Sequence, residues 1–405
     1  MSGMRAAHLV DTDTIRKEQP VEESGFQTMR TVVVSCAHTI HDTYAGFIAP
    51  LIPSLIERLS LLKVEAGLFL LLYQGISVLQ PVIGHVGDKR NLRKLALFAP
   101  AITGIFLSLL ATAPSFQIAL VYTLIAGISS ATLHANLPSL VNQLAGRQVG
   151  KGMSIWMVGG DLGYMLGPMV VTATIMVFTI QAMPWLMLAG FFISLLLSIL
   201  LRDLPDHTVS EKTESRIDWK SLGGIMLPLA GIVIMRSFLR TATEMFLPVF
   251  LLEMGADPWF TGAALSILYG FGILGTILGG YWIDRLGYKP LMLVSLVVSS
   301  IATITLTYTE GFLQILSLSF LGAASMMVLP IGLTIVHTSI SENRSMANGF
   351  FLAMVFAINA LAGVITGAMY DQFGGQTTYL VSGVVGLLGL LFIKFLPDKK
   401  QEITG

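Results

Sequence analysis

Residues 66–94 read AGLFLLLYQGISVLQPVIGHVGDKRNLRK, a long apolar run that ends in a turn dense with charge. At an offset of 196 residues, positions 262–290 read GAALSILYGFGILGTILGGYWIDRLGYKP and repeat the plan. Tyr73 is matched by Tyr269, Gly84 by Gly280, Asp88 by Asp284, Lys89 by Arg285 and Arg93 by Lys289; at an offset of 195, Pro53 is matched by Pro248. Three of the five matches at the first offset are charges in otherwise apolar sequence, which common residues meeting by chance do not explain. The repeat predicts two pseudo-symmetric halves.

Outward from these two stretches, the whole chain is of the same kind. Of 405 residues, 54% are hydrophobic and 12% charged, and the mean hydropathy is +0.76. Soluble domains carry about 25% charged residues, so the soluble class is excluded. Apolar runs near the ~20 residues needed to cross a bilayer fall at 31–55, 66–87, 95–112, 116–137, 152–178, 182–201, 221–250, 260–283, 290–308, 312–337, 346–369 and 377–396. Lipid offers the backbone no hydrogen-bond partner, so these runs are expected to be helices. Stretches such as 191–197, FFISLLL, show no alternation that a strand would need. The expected fold is therefore an all-α membrane protein of twelve transmembrane helices. The polar break 202–220 divides it into six-helix bundles at 31–201 and 221–396, with tails at 1–30 and 397–405.

The sum of the charges is uninformative: Lys+Arg and Asp+Glu balance at 24 each. Their placement is informative. The tails and alternate loops hold 20 of the 24 Lys and Arg, the opposite loops hold only Arg58 and Lys63, and Arg236 and Arg240 lie inside a span. By the positive-inside rule both termini are expected in the cytoplasm of a plasma (bacterial inner) membrane. Residues 1–30 lack the apolar core of a signal peptide. The single cysteine, Cys36, permits neither an internal disulfide nor a cysteine metal cluster. Gly270-x-Gly272-x-x-Gly275 fits a dinucleotide fingerprint in letters only, since no strand precedes it. It reads, with Gly279 and Gly280, as a helix-packing face, and no cofactor is expected.

The charged turns resemble a known family. Gly84-His-Val-Gly-Asp88-Lys89-Arg90, followed by Arg93-Lys94, is similar to the loop motif between helices 2 and 3 of the major facilitator superfamily, and Gly280-Tyr-Trp-Ile-Asp284-Arg285 to its second copy. A narrower resemblance, to the fosmidomycin-resistance branch, rests on His38-x-x-x-Asp42-x-x-x-Gly46-x-x-x-Pro50-Leu-x-Pro53, on Leu79-Gln80-Pro81, on His134, and on Val158-Gly159-Gly160-Asp161 with Gly163, Gly167 and Pro168. His41 and Asp161 stand where that branch's pattern would carry asparagine. The resemblance implies the major facilitator fold, alternating access, and proton-driven drug efflux.

The remaining signals are ionisable groups inside apolar spans. An ionised Asp at the bilayer centre costs roughly 2.5–3.5 kcal/mol on insertion scales, so such groups mark function by default. His38, His41 and Asp42 lie close together on the first span, and a His–Asp couple can change proton occupancy with exposure. Arg236, Arg240 and Glu244 follow at i, i+4 and i+8 on the seventh. Arg240 can pair with Glu244, leaving Arg236 for Asp42 or for an anionic solute, to which its planar fork is suited. The proton-coupling candidates are His41, Asp42 and Glu244; the solute-binding candidates are His38, Arg236, Arg240, His134 and Asp161. Gly84, Asp88, Arg93, Gly280, Asp284 and Arg285 are expected to form a gating latch, with the glycines admitting close helix approach.

The chain thus reads as a secondary transporter, a proton-coupled antiporter exporting a small anionic or amphiphilic solute. Its expected partners are that solute, protons and lipid, with no nucleic acid and no obligate second subunit. Two alternatives remain open. One is a transition-metal or metal-chelate carrier using His38, His41, Asp42 and His134. The other is a non-transporting sensor or lipid-binding scaffold. No loop holds a nucleophile–base set that would support an enzyme.

Overall fold

The computed structural model describes residues 25–89, 92–203, 219–340 and 344–397, without the side chains of residues 87–89, 219–221, 284 and 344–345. Most of the two tails and of the 202–220 linker, and the carboxylates of Asp88 and Asp284, therefore lie outside the described residues.

Ten stretches are long and apolar enough to cross a membrane, and the last of these, Met346–Ile393, holds two passes. The first pass is missing from that set because His38, His41 and Asp42 dilute its hydropathy. The described residues thus make twelve passes. In the first half these are α1 (Thr28–Ala45) with α2 (Ile48–Leu59), then α3 (Lys63–Gly75) continued by a 3-10 turn into α4 (Gln80–Lys89), then α5 (Arg93–Leu110), α6 (Phe116–Ala145), α7 (Val149–Val177) and α8 (Met187–Leu200). In the second they are α9 (Trp219–Glu244) with α10 (Leu247–Glu253), then α11 (Pro258–Leu286), α12 (Tyr288–Leu306), α13 (Gly311–Met326) with α14 (Val328–Ser339), and α15 (Arg344–Leu388) with α16 (Leu390–Ile393). Within α15 the chain turns back at Gly374, with φ 78° and ψ 167°. Gly287, between α11 and α12, has the same angles. A side chain at either place would meet the steric penalty of positive φ.

Three passes break part-way across, between α1 and α2, between α9 and α10, and between α13 and α14. A break leaves helix-end carbonyls without their intrahelical partners, and other side chains take them up. Tyr379 donates to the Ala242 carbonyl at 2.5 Å, Ser295 to that of Ala324 at 2.5 Å, and Arg236 to that of Ser325 at 2.5 Å. Each break lies four residues before a proline, Pro50, Pro248 or Pro330, whose missing N–H removes one intrahelical bond at that place.

Large aromatics stand exposed near both ends of the passes. Phe178, Trp185, Trp259, Tyr308 and Phe312 ring the face opposite the termini, and Tyr281, Trp282 and Phe395 the terminal face. Such belts sit at membrane–water interfaces.

The two halves meet along two seams, α3 against α15 and α7 against α11. At the far face, away from the termini, the halves share one apolar core that includes Phe47, Leu51 and Phe69 from the first half and Phe246, Phe250 and Tyr379 from the second. At the terminal face there are two separate cores. One is built from α9, α11, α12, α14, α15 and α16, with Leu229, Ile335 and Phe351. The other is built from first-half residues such as Leu97, Leu137 and Trp156. Joined cores at one end and divided cores at the other define a cleft shut on the far side and open toward the termini.

Polar ties reinforce the shut end. Asp371 accepts the backbone N–H groups of Lys63 at 2.9 Å and Val64 at 2.8 Å, capping α3 from the other half. Lys63 Nζ lies 3.2 Å from Glu253 Oε1, and Tyr370 donates to Glu253 Oε2 at 2.6 Å.

The open end accounts for the loop-motif glycines. A Cβ at Gly280 would meet nothing within 4 Å, and one at Gly84 only the Ala135 carbonyl at 4.0 Å. The close approach expected at these glycines is therefore not made here, because the surfaces they would serve stand apart. Arg93 donates to the Leu201 carbonyl within its own half, and Arg285 lies over the ring of Tyr281 at 4.6 Å. Elsewhere on α11 the glycine face packs as expected: a Cβ at Gly275 would collide with the Ala323 backbone, and one at Gly272 would reach Met326 Sδ at 2.6 Å.

Candidate transport site

α1 lies directly on α7, and glycines make that possible. A Cβ at Gly159 would stand 2.7 Å from the Ser35 carbonyl, and at Gly163 2.5 Å from that of Thr39. At Gly160 it would strike His38 Cε1 at 2.5 Å and Asp42 Oδ2 at 2.9 Å. The glycine run on α7 is therefore the mould in which the first-span cluster sits.

His38, His41 and Asp42 are all buried. His38 stacks on Trp156, with ring centroids 3.7 Å apart and planes 13° apart. Its Nε2 lies 3.1 Å from Asp42 Oδ2 and 3.2 Å from His134 Nε2. His134 Nε2 is 3.8 Å from Asp42 Oδ1, and its side chain is 29% exposed, the open edge of the group. His41 faces away from the cleft, with Nδ1 2.7 Å from Asp42 Oδ1.

Hydrogen-bond partners fix most of the proton positions. His38 Nδ1 faces the Trp156 carbonyl at 2.9 Å, and His134 Nδ1 faces the Ser130 carbonyl at 2.9 Å. Carbonyls only accept, so both Nδ1 atoms carry hydrogen, and with both rings neutral both Nε2 atoms present lone pairs. Those two lone pairs and the Asp42 carboxylate converge with no donor among them, so the focus requires a positive charge. Behind Asp42 runs a second chain. Ser129 donates to the Ala99 carbonyl at 3.1 Å, Thr103 donates to Ser129 at 3.0 Å, and Thr103 Oγ1 thereby accepts from His41 Nε2 at 3.1 Å. A further proton then lies between His41 Nδ1 and Asp42. Asp42 is the hinge of both arrangements.

Across the cleft, Arg240 Nε donates to Glu244 Oε1 at 2.8 Å, with side chains 26% and 12% exposed. Arg236 is 5% exposed and donates to the Ser325 carbonyl at 2.5 Å. The Asp42–Arg236 pairing that the sequence allows does not form, because Asp42 is already engaged by three imidazoles and Arg236 is drawn to the α13 break. Of the two arginines, Arg240 is the one that reaches the cleft. Tyr164 and Tyr269 meet across the α7–α11 seam with centroids 5.7 Å apart, and nearby Ser266 donates to the Met165 carbonyl at 2.7 Å. Asp161 is half-buried, within electrostatic reach of Asp42 and His38, and has no hydrogen-bond or ion-pair partner among the described residues.

The sequence singled out the charged members of this site. It missed Trp156, Thr103 and Ser129, which orient the imidazoles, and Tyr164 on the seam. Only Tyr269 left a sequence trace, through its match with Tyr73.

One consequence is testable directly. Gly→Ala inside a helix ordinarily stabilises by about 0.8–1 kcal/mol. Gly160→Ala is expected to do the reverse, since its Cβ enters the His38–Asp42 contact. Overpacking of this kind costs about 1–3 kcal/mol, so a lower melting temperature and a transport rate reduced about tenfold are expected. Gly150→Ala, where a Cβ meets nothing within 4 Å, is the control.

Two pseudo-symmetric helical halves around a cleft lined by buried ionisable groups define a membrane transporter. The sequence profile of the Major Facilitator Superfamily matches residues 34–275 and 229–404, and the chain belongs to that family. It is 23% identical over 381 residues to the Fosmidomycin resistance protein of Escherichia coli (strain K12), covering 91% of this chain and 93% of that one. It is 25% identical over 402 residues to the Uncharacterized MFS-type transporter YfnC of Bacillus subtilis (strain 168), covering 95% and 97%. Its fold is similar to the crystal structure of a D-xylose-proton symporter, with TM-score 0.76, 18% identity, and coverage of 92% and 99%.

Proposed function

We propose that this transporter is a proton-coupled antiporter, exporting a small anionic or amphiphilic solute by alternating access. The observation that carries the reading is the pairing of two sites in one cleft. A cation-requiring His–Asp focus on α1 and α6 faces a guanidinium–carboxylate pair on α9, between halves joined only away from the termini. The charge split of the loops supports cytoplasmic termini, and with that orientation the cleft opens inward, ready to receive solute. Asp42 and His41, with Glu244 as the second-half acid, exchange protons as the cleft changes sides. Arg240, beside Tyr164 and Tyr269, supplies the anion contact. Each proton charge crossing the field is worth about 2.3 kcal/mol per 100 mV, enough to support a roughly 50-fold solute gradient.

The resistance named in the Escherichia coli relative makes fosmidomycin the first solute to assay. In proteoliposomes with the full chain, an imposed proton gradient is expected to accelerate counter-directed solute flux at least about tenfold, a difference of about 1.4 kcal/mol. A protonophore should abolish the acceleration. Flux that proceeds equally with and without the gradient would dismiss coupling, and an unchanged rate in Arg240→Ala would dismiss the anion contact.

A further inference from the structure

We propose that His38, His134 and Asp42 form a coordination site for one borderline divalent cation of the Zn²⁺, Co²⁺ or Ni²⁺ class, reached from the open cleft past His134. The site is defined by geometry and stands whether or not protons drive transport. A tetrahedral ion with bonds of about 2.0–2.1 Å holds its ligand atoms about 3.3 Å apart. The two imidazole Nε2 atoms are 3.2 Å apart, the first of them is 3.1 Å from the carboxylate, and all three ligand atoms lie within 4.8 Å of one another.

The proton positions suit a metal as well. Ligating histidines usually donate their other ring N–H to a carbonyl or carboxylate, which fixes the tautomer and turns the lone pair toward the ion. Both Nδ1–H groups here donate to main-chain carbonyls, those of Trp156 and Ser130. His41 holds the remaining side of Asp42 at 2.7 Å, and stacking on Trp156 holds the His38 ring. Two imidazoles and one carboxylate favour Zn²⁺, Co²⁺ or Ni²⁺ over Mg²⁺ or Ca²⁺, which prefer all-oxygen sites.

Charge adds a further argument. Asp42 already shares a proton with His41, so a divalent ion beside that couple brings positive charge into a buried setting. Asp161, unpaired among the described residues and within electrostatic reach of Asp42 and His38, can offset part of it. All three ligands belong to the first half, so the ion needs no closure of the cleft to be bound. When it enters, the proton required at the focus leaves to water.

The test uses the full chain in detergent, purified without a polyhistidine tag, with no gradient and no solute. Titration with Co²⁺ is expected to give one tight equivalent with visible d–d absorption of a low-coordinate N/O site, displaced by Zn²⁺ but not by millimolar Mg²⁺. His134→Gln, at the exposed edge, and Asp42→Asn are each expected to weaken that equivalent at least about tenfold. His85→Gln and His337→Gln, whose side chains are exposed, should leave it intact. Absence of a tight equivalent, or one that survives in His134→Gln, would overturn the site. Because binding is read without flux, a chain that binds Co²⁺ but ignores a proton gradient keeps the metal site and loses the antiport reading, and the converse result does the opposite.

Discussion

Asp42→Asn should reduce gradient-driven flux by at least about 100-fold, about 2.7 kcal/mol, while leaving the protein folded. The asymmetry follows from the hydrogen-bond directions. Asparagine keeps the carbonyl oxygen that can accept from His41 Nδ1, 2.7 Å from Asp42 Oδ1. Its amide nitrogen replaces the oxygen nearest His38 and becomes a donor toward His38 Nε2, 3.1 Å from Asp42 Oδ2. The focus that needs a positive charge in the native chain is then satisfied by a neutral group, with nothing left to gain or lose as the cleft changes sides. Asp42→Ala is a different experiment. It leaves three imidazoles without their anion, and breaking a buried pair this way costs about 3–5 kcal/mol. Its expected signature is poor folding. Thermal melts and proton-gradient flux on both variants separate the two effects. Native-level coupled flux in the asparagine variant would remove Asp42 from the coupling route.

Much of this structure was written in local sequence. Twelve passes follow from run lengths, and the two halves from the repeated Gly–Asp–Lys/Arg turns. Boundaries agree to within a few residues where a polar residue marks the end: the third run, 95–112, becomes Arg93–Leu110. They fail at the fourth, where 116–137 stops eight residues before Ala145, and at the eleventh, where 346–369 stops short of the turn at Gly374, because the helix continues beyond its apolar part through Tyr370 and Asp371. Those two residues looked like loop. Their side chains are used at the seam: Tyr370 donates to Glu253 of its own half and lies under Lys63 Nζ of the other, and Asp371 caps the N-terminus of α3. A contact spanning 308 positions leaves no local periodicity to read.

The candidate site divides the same way. His38, Asp42 and His134 stand out because ionisable groups are expensive in an apolar span. The fate of Arg236 could not be read: Pro330 announces a break near Met327, but not that the Ser325 carbonyl beside it takes up a guanidinium from another helix. The direction in which the cleft opens was equally hidden. One sequence must serve both faces of an alternating-access cycle, and only coordinates in one state show which surfaces are joined.

That state can be displaced by a single glycine, and the seam shows which. At Gly67 a Cβ would fall 2.5 Å from the Gly363 carbonyl oxygen, 2.7 Å from its carbon and 2.8 Å from Val364 Cα. All three are backbone atoms, so no rotamer change relieves the clash. Gly67→Leu must push α15 away from α3 or keep the far face open. Overpacking costs about 1–3 kcal/mol, and it is felt only when that face is shut, so the balance between states should move about 5–150-fold toward the far-open form. The polar ties cannot resist a push of that size: Lys63 and Glu253 are 25% and 45% exposed, and exposed pairs contribute about 0–1 kcal/mol. Leu70 reports the change, because a Cβ on Gly363 would touch it at 3.1 Å. In a Cys36→Ser background, Leu70→Cys should react with an impermeant maleimide from the far face at least about tenfold faster when Gly67→Leu is added. Gly223→Leu, where a Cβ meets nothing within 4 Å, should not change the rate. If Leu70→Cys stays equally protected in a folded Gly67→Leu protein, the α3–α15 seam is not what holds the far face shut.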